Sequence, residues 1–108
     1  MNSQAVILSA RINSELSALK VVVERTLQAW EKASQQNDDL YLDSVALNLH
    51  SFYSGLERIF EKLASTIDGA MPSAANWHQE LLVQMQMEIP SIRPAVISSK
   101  LKEALEEY

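Results

Sequence analysis

The chain contains no cysteine, and this absence removes two large classes of small protein. Disulfide-stabilised scaffolds and thiolate metal sites both require cysteine. Glycine and proline are scarce as well, with 2 and 3 among 108 residues, which excludes collagen-like repeats and the Gly- and Pro-rich compositions of disordered chains. Because 47% of the residues are apolar, we expect residues 1–108 to form one folded domain.

Long apolar runs and an excess of positive charge are also missing. No stretch approaches the roughly 20 apolar residues of a membrane span, and the N-terminus lacks the charged start and apolar run of a signal peptide. We therefore expect a cytoplasmic protein that does not contact membranes. The net charge is −5, so the chain lacks the broad basic surface by which proteins bind nucleic acid.

The short motifs of catalytic and cofactor sites are absent from the sequence. Gly55 and Gly69 are isolated, so there is no Gly-rich phosphate loop, and no GxSxG motif marks a serine nucleophile. The two histidines, His50 and His78, do not stand in a paired-ligand spacing. We therefore expect neither a metal ion nor a cofactor.

The strongest pattern that is present is an apolar stripe between Leu40 and Asp68. Its members recur at spacings of three or four, which predicts an amphipathic helix. They are Leu42, Val45, Leu49, Phe52, Leu56, Ile59, Leu63 and Ile67. Asp38 or Asp39 can cap the start of this helix, and Gly69 is expected to end it in a left-handed conformation.

A second stripe predicts a helix over residues 4–36. Its members are Ala5, Leu8, Ile12, Leu16, Leu19, Val23, Leu27, Trp30 and Ala33. The polar break at residues 35–39 is short, so the two long helices should form an antiparallel hairpin in which each stripe covers the other.

The remaining sequence predicts two shorter helices. Asn76 can cap a medium helix that runs from Trp77 to about Glu88, with Trp77, Leu81, Leu82 and Met85 facing inward. The prolines in residues 89–94 predict an extended connector. A short helix then starts at Ser98, with Leu101, Leu105 and Tyr108 on one face. The fold class predicted is an all-α, up-and-down antiparallel helical bundle.

One row of polar side chains borders the apolar stripe of the second helix. His50, Tyr53 and Glu57 follow Ala46 at helical spacing and therefore share a face. The row is either a core boundary whose polar tips reach water or a neighbouring helix, or a polar pocket capable of acid–base chemistry. The boundary interpretation is favoured because such edge residues are common and sites are rare. The three residues are weak candidates, and no catalytic residue is assigned.

Three separated blocks resemble the HepT-like branch of the HEPN superfamily. They are residues 42–60 (LDSVALNLHSFYSGLERIF), 76–82 (NWHQELL) and 93–97 (RPAVI), and the similarity covers about Asp39–Tyr108. The resemblance implies a helical bundle that forms a dimer. It also implies the toxin of a toxin–antitoxin pair, whose antitoxin is often a minimal nucleotidyltransferase (MNT). Active members are metal-independent ribonucleases that use an Arg-x(4–6)-His motif paired across the dimer.

This chain lacks that motif. The positions five to seven residues before His50 are residues 43–45 (DSV), and those before His78 are residues 71–73 (MPS). In the family the motif follows the segment that resembles residues 101–108, and the sequence gives no helix-stop signal there. Either the catalytic segment lies beyond this chain and the last helix is cut short, or the chain is a degenerate member that keeps only the scaffold. We expect RNA to bind only when that segment is present.

Three hypotheses of function follow, and the third and weakest is an enzyme that uses His50, Tyr53 and Glu57. The first is a HepT-like toxin component that is catalytically inactive in this chain, yet still binds its antitoxin or a second copy. The second is a non-catalytic helical module for protein interaction or dimerisation, in which the apolar surface left by a missing helix becomes the docking surface.

Overall fold

The computed structural model describes residues 3–107. It contains four α-helices and one π-helical turn that continues the second helix. These are α1 (Ser3–Gln36), α2 (Asp39–Leu63), the π turn (Ala64–Asp68), α3 (Trp77–Gln86) and α4 (Ser99–Glu106). The only β-type pairing within the described range is an isolated bridge between Ile89 and Arg93. The predicted all-α class is confirmed.

The chain divides into two compact units, Met1–Glu57 and Arg58–Tyr108, called here the N-terminal unit and the C-terminal unit. In the N-terminal unit, α1 and α2 are joined by Asn37 and Asp38. Asn37 takes a left-handed conformation, with φ of 52°, and its N–H donates to the Ala33 carbonyl at 3.0 Å. The Asp38 carboxylate accepts from the Leu40 N–H at 2.9 Å, so Asp38 is the capping aspartate.

Within the N-terminal unit α1 and α2 run antiparallel, as predicted. The Lys32 ammonium group lies 5.8 Å from the centroid of the Tyr41 ring. Arg25 lies seven residues before Lys32, and it shares a groove with Asn48, which lies seven residues after Tyr41. This reversed order along the two helices defines an antiparallel hairpin.

The prediction that the two stripes cover each other is wrong in part. On α1, Leu8, Leu19 and Ala33 are buried, together with Ala29, which the stripe did not include. Four other large stripe members of α1 are exposed, Leu16, Val23, Leu27 and Trp30, and Ile12 is half-buried. On α2, Leu42 and Leu49 are exposed as well. The physical reason is that each apolar stripe is wider than the line of contact with a single neighbouring helix.

The C-terminal unit has a more complete core. Its buried apolar residues are Ile59, Phe60, Ala64, Leu81, Leu82, Met85, Ile97 and Leu105. The inward side of α3 is therefore predicted correctly, although Trp77 is only half-buried. On α4, Leu105 is buried and Leu101 is exposed. Tyr108, predicted on the same face, lies outside the described residues.

The helix boundaries of the C-terminal unit follow local signals. Gly69 ends the π turn in the left-handed conformation that was predicted, with φ of 72°, and its N–H bonds the Ala64 carbonyl. The Ser98 hydroxyl caps α4 by accepting from the Leu101 N–H at 3.1 Å. Asn76 precedes α3 but forms no side-chain cap; its amide donates instead to the Glu80 carboxylate at 3.3 Å.

The segment 89–94 is a tight turn and not the extended connector predicted from its prolines. The N–H of Ile92 donates to the Ile89 carbonyl at 3.0 Å, and Ser91 has a positive φ of 65°. Pro90 supplies the fixed φ that a type II turn needs at its second position. The chain therefore reverses at this point, and Arg93 pairs with Ile89 through backbone bonds of 2.9 and 3.0 Å.

Candidate functional site

A row of exposed apolar side chains runs along the N-terminal unit and is called the hairpin apolar face. Its members are Leu16, Val23, Leu27 and Trp30 on α1, with Leu42 and Leu49 on α2. Between 39% and 63% of each side chain is exposed. Leu16, Val23 and Trp30 recur every seven residues, and so do Leu42 and Leu49. Such recurrence is typical of helices that pack lengthwise against another helix.

The six residues of this face lie on the same side of the hairpin. On α1 they occupy the side of the helix away from Arg25 and Lys32, given a helical period of 3.6 residues. On α2 they occupy the side away from Ser44 and Asn48. Because those four polar residues line one common groove, the apolar residues of both helices face the opposite side.

The groove on that opposite side, called the hairpin groove, is open and has a volume of about 240 Å³. Its lining comprises Arg25, Gln28, Ala29, Lys32, Tyr41, Ser44 and Asn48. The Asn48 amide donates to the Ser44 carbonyl at 2.8 Å and to the Ser44 hydroxyl at 3.3 Å. The groove therefore presents two cations and several neutral polar groups to solvent.

The C-terminal unit holds an ion pair between Arg93 and Asp68, called the arginine clamp. Arg93 Nε donates to Asp68 Oδ1 at 2.6 Å, and Arg93 Nη2 donates to Asp68 Oδ2 at 2.7 Å. The remaining guanidinium hydrogens bond the carbonyl oxygens of Gln84, Met87 and Pro94 at 2.8–3.0 Å. All five N–H donors of the guanidinium are thus satisfied within the protein.

The arginine clamp fixes the ionisation of Asp68. Its hydrogen bonds from Arg93 lower the pKa of Asp68 below the ordinary value of 3.8, and a bond from the Gln84 amide at 2.8 Å acts in the same direction. Burial of the carboxylate acts against this shift and is outweighed. The clamp ties the π turn to the end of α3 and to the turn at residues 89–93. Its donors are already engaged, so this arrangement is structural.

The polar row predicted from the sequence lies on α2. His50 is exposed, whereas Tyr53 and Glu57 are half-buried and both have interaction partners. The row keeps its status as a prediction. The second histidine, His78, stacks on the neighbouring Trp77 ring with centroids 3.6 Å apart. Residues 3–107 contain no cluster of three or more His, Cys, Asp or Glu side chains that could hold a metal ion.

No helix within residues 3–107 has both the length and the apolar character that crossing a bilayer demands.

The family of the chain follows from its second helix and C-terminal unit. The family model for HepT-like proteins matches residues 44–108. The chain belongs to the HepT-like family. The matched range contains most of α2 and the arginine clamp, and it excludes α1. No curated protein and no solved structure matches the chain.

Sequence reasoning missed the hairpin groove and the arginine clamp. A signal for the groove was present, because Arg25 and Lys32 are seven residues apart and so lie on one side of α1. No local signal pointed to the clamp, since Asp68 and Arg93 are 25 residues apart and meet only after two chain reversals.

Proposed function

We propose that this HepT-like protein is the toxin component of a toxin–antitoxin pair and that the 108 residues act by binding and not by cleaving RNA. In this proposal the hairpin apolar face binds a second copy of the chain, so the protein is a dimer. An MNT-type nucleotidyltransferase is the expected antitoxin, as the resemblance to the family implies.

The proposal of a dimer is supported chiefly by the hairpin apolar face. Large contiguous apolar patches are rarely exposed on monomeric proteins, and they indicate interaction sites. The seven-residue recurrence on both helices suits a partner that offers helices of the same kind, and a second hairpin does so. The border of the face on α1 carries both signs of charge, in Lys20, Glu24 and Glu31. A two-fold arrangement can therefore place cations opposite carboxylates, even though the net charge is −5.

The absence of an Arg-x(4–6)-His motif from the 108 residues supports the non-catalytic part of the proposal. In the family mechanism His transfers the proton and Arg stabilises the charge on phosphate, so both are needed at one site. The arginine clamp does not supply this function, because all five donors of Arg93 are engaged with Asp68 and backbone carbonyls.

The dimer is tested by sedimentation velocity over a range of protein concentrations. Leu27→Glu places a charge in the hairpin apolar face and should convert the dimer to a monomer. Leu47→Glu is the matched control, because Leu47 is exposed to a similar extent, 68% against 63%, and lies outside the face. A monomer at every concentration in the unsubstituted chain, or equal effects of the two substitutions, would refute the dimer.

The proposal that the 108 residues do not cleave RNA is tested by incubating the protein with single-stranded RNA in the presence of EDTA. We expect the RNA to stay intact. Metal-independent cleavage that is lost on substitution of His50, Tyr53 or Glu57 by alanine would contradict the proposal and would make the polar row of α2 an active site.

A further inference from the structure

The hairpin groove differs in charge from the rest of the N-terminal unit. Arg25 and Lys32 both line it, and neither side chain is buried. No carboxylate lines it, although the unit contains Glu15, Glu24, Glu31, Asp38, Asp39, Asp43 and Glu57. Two cations are therefore gathered in one concave site of an acidic protein, and such a site attracts anions.

The neutral groups of the groove suit an oxyanion. The Ser44 hydroxyl accepts a hydrogen bond from the Asn48 amide at 3.3 Å, so its own hydrogen remains free to be donated to a ligand oxygen. The second bond of that amide, to the Ser44 carbonyl at 2.8 Å, holds both side chains on one turn of α2. Hydroxyl and cationic donors thus face the groove from the two helices.

The mixture of donors indicates phosphate as the anion. A guanidinium can bind two phosphate oxygens at once, and an ammonium group adds a point charge for a third. Tyr41 also lines the groove and is half-buried, and the Lys32 ammonium group lies over its ring, 5.8 Å from the centroid, so the ring helps to hold this cation at the groove.

We propose that the hairpin groove binds the phosphate group of a nucleotide, with Arg25 and Lys32 as counter-charges, the Ser44 hydroxyl as a neutral donor and Tyr41 as the ring that holds Lys32 in place. The site goes beyond the proposed function and does not depend on it. The hairpin groove and the hairpin apolar face lie on opposite sides of the hairpin, so a monomer and a dimer both leave the groove open.

The proposal is tested by titrating the full, isotope-labelled chain with adenosine 5′-monophosphate (AMP) and recording backbone amide shifts. We expect shifts in residues 25–32 and 41–48 that weaken as KCl is raised. Adenosine is the matched control for the phosphate and should cause no saturable shift there. Inorganic phosphate should shift the same residues at higher concentration. Absence of shifts in the two segments at millimolar AMP, or equal binding of adenosine, would overturn the site.

A short single-stranded oligoribonucleotide distinguishes the two natural sources of the phosphate. If it binds the same segments more tightly than AMP, the groove takes one phosphate of an RNA chain. If AMP binds as tightly or more tightly, the groove takes a free nucleotide. Either result supports the site, whereas RNA shifts confined to other segments, without AMP binding in the groove, would contradict it.

Single substitutions test whether the charges of Lys32 and Arg25 contribute to AMP binding. Lys32→Gln should weaken AMP binding about tenfold, since one charge-assisted contact is lost. Lys20→Gln is the control, because it removes the same charge from α1 outside the groove. Arg25→Lys keeps the charge and loses the bidentate contact, so it remains informative if Lys32→Gln fails to fold. Equal affinities in Lys32→Gln and Lys20→Gln, or an unchanged affinity in Arg25→Lys, would refute the assignment.

Discussion

The two units of this protein bury apolar residues very differently. The N-terminal unit contains the longest helix, α1 with 34 residues, and yet much of its apolar stripe is exposed. The C-terminal unit contains helices of 10 and 8 residues, and it encloses most of the buried core. Burial therefore depends on how many sides of a stripe are covered and not on how long or regular the stripe is.

The two units also differ in how far apart in sequence their hydrogen-bonded side chains are. In the N-terminal unit the side-chain hydrogen bonds include several within one helix, as from Thr26 to the Val22 carbonyl at 2.8 Å and from Ser51 to the Leu47 carbonyl at 3.1 Å. In the C-terminal unit the arginine clamp joins residues that are 25 positions apart. The second unit is thus held by non-local contacts, and its stability should respond far more strongly to single substitutions.

The largest effect is expected from Arg93→Met. It leaves the Asp68 carboxylate buried without its cation, and breaking a buried ion pair in this way costs about 3–5 kcal/mol. Lys102→Met is the control, because it breaks the more exposed pair with Glu106 on α4 and should cost less than about 1 kcal/mol. Urea denaturation measures both. Similar free energies of unfolding in the two variants would show that the clamp does not hold the C-terminal unit.

Met85→Ala is expected to cost about 2–5 kcal/mol, because Met85 is fully buried and its truncation leaves a cavity. Leu27→Ala removes a large side chain from the exposed face of α1 and should change the unfolding free energy of the monomer by less than about 0.5 kcal/mol. Denaturation at low protein concentration tests this contrast between the units. A cost at Leu27 equal to that at Met85 would mean that the hairpin apolar face is covered within the monomer.

Acid should weaken the C-terminal unit by a smaller amount than loss of Arg93 does. The pKa of Asp68 is lower in the folded protein than in the unfolded chain, so the stabilisation is complete above the ordinary value of 3.8 and is lost as pH falls through the lowered pKa. Thermal unfolding followed between pH 7 and pH 2 measures this loss. In Asp68→Asn, which cannot titrate, the decline below pH 4 should be shallower; an identical decline would rule out Asp68 as its source.

The smallest effect is expected at the left-handed end of the π turn. Gly69→Ala forces an L-residue to keep a φ of 72° and should cost about 1 kcal/mol, although no atom would clash with the new methyl group. The corresponding position in the N-terminal unit is Asn37, which tolerates this conformation, so Asn37→Gly should change stability by less than about 0.5 kcal/mol. Thermal unfolding of both variants checks the pair, and a cost at Asn37 exceeding that at Gly69 would contradict it.

The elements of the fold could be predicted from the sequence because their signals are local. Apolar periodicity predicts α1 and α2, and the end at Gly69 and the cap at Ser98 depend on single residue types. The turn at residues 89–92 could not be predicted with the same security, because Pro90 suits both an extended segment and a type II turn. The residue after Pro90 that takes the left-handed conformation is Ser91, and a glycine at this position would have been a stronger sign of a type II turn.

The candidate sites were less accessible to sequence reasoning than the fold. The polar row of α2 was visible because its members are close in sequence, whereas the hairpin groove combines residues from two helices. The hairpin apolar face was predicted as core, since periodicity identifies an apolar side of a helix without indicating what covers it. The family, by contrast, was recognisable from short blocks of sequence, and the matching family model, over residues 44–108, covers the second and third blocks in full and the first from residue 44.

All five N–H groups of the Arg93 guanidinium bond acceptors within the protein, and this affects how genetic data on Arg93 should be interpreted. A screen for loss of function should score Arg93 as important, and an important arginine invites the interpretation that it contacts a phosphate group. In this protein the phenotype would instead report a lower abundance of folded protein. Measuring the amount of each variant in the cell beside its activity separates the two explanations, and Arg25 provides the contrasting case, an arginine whose loss should leave abundance unchanged.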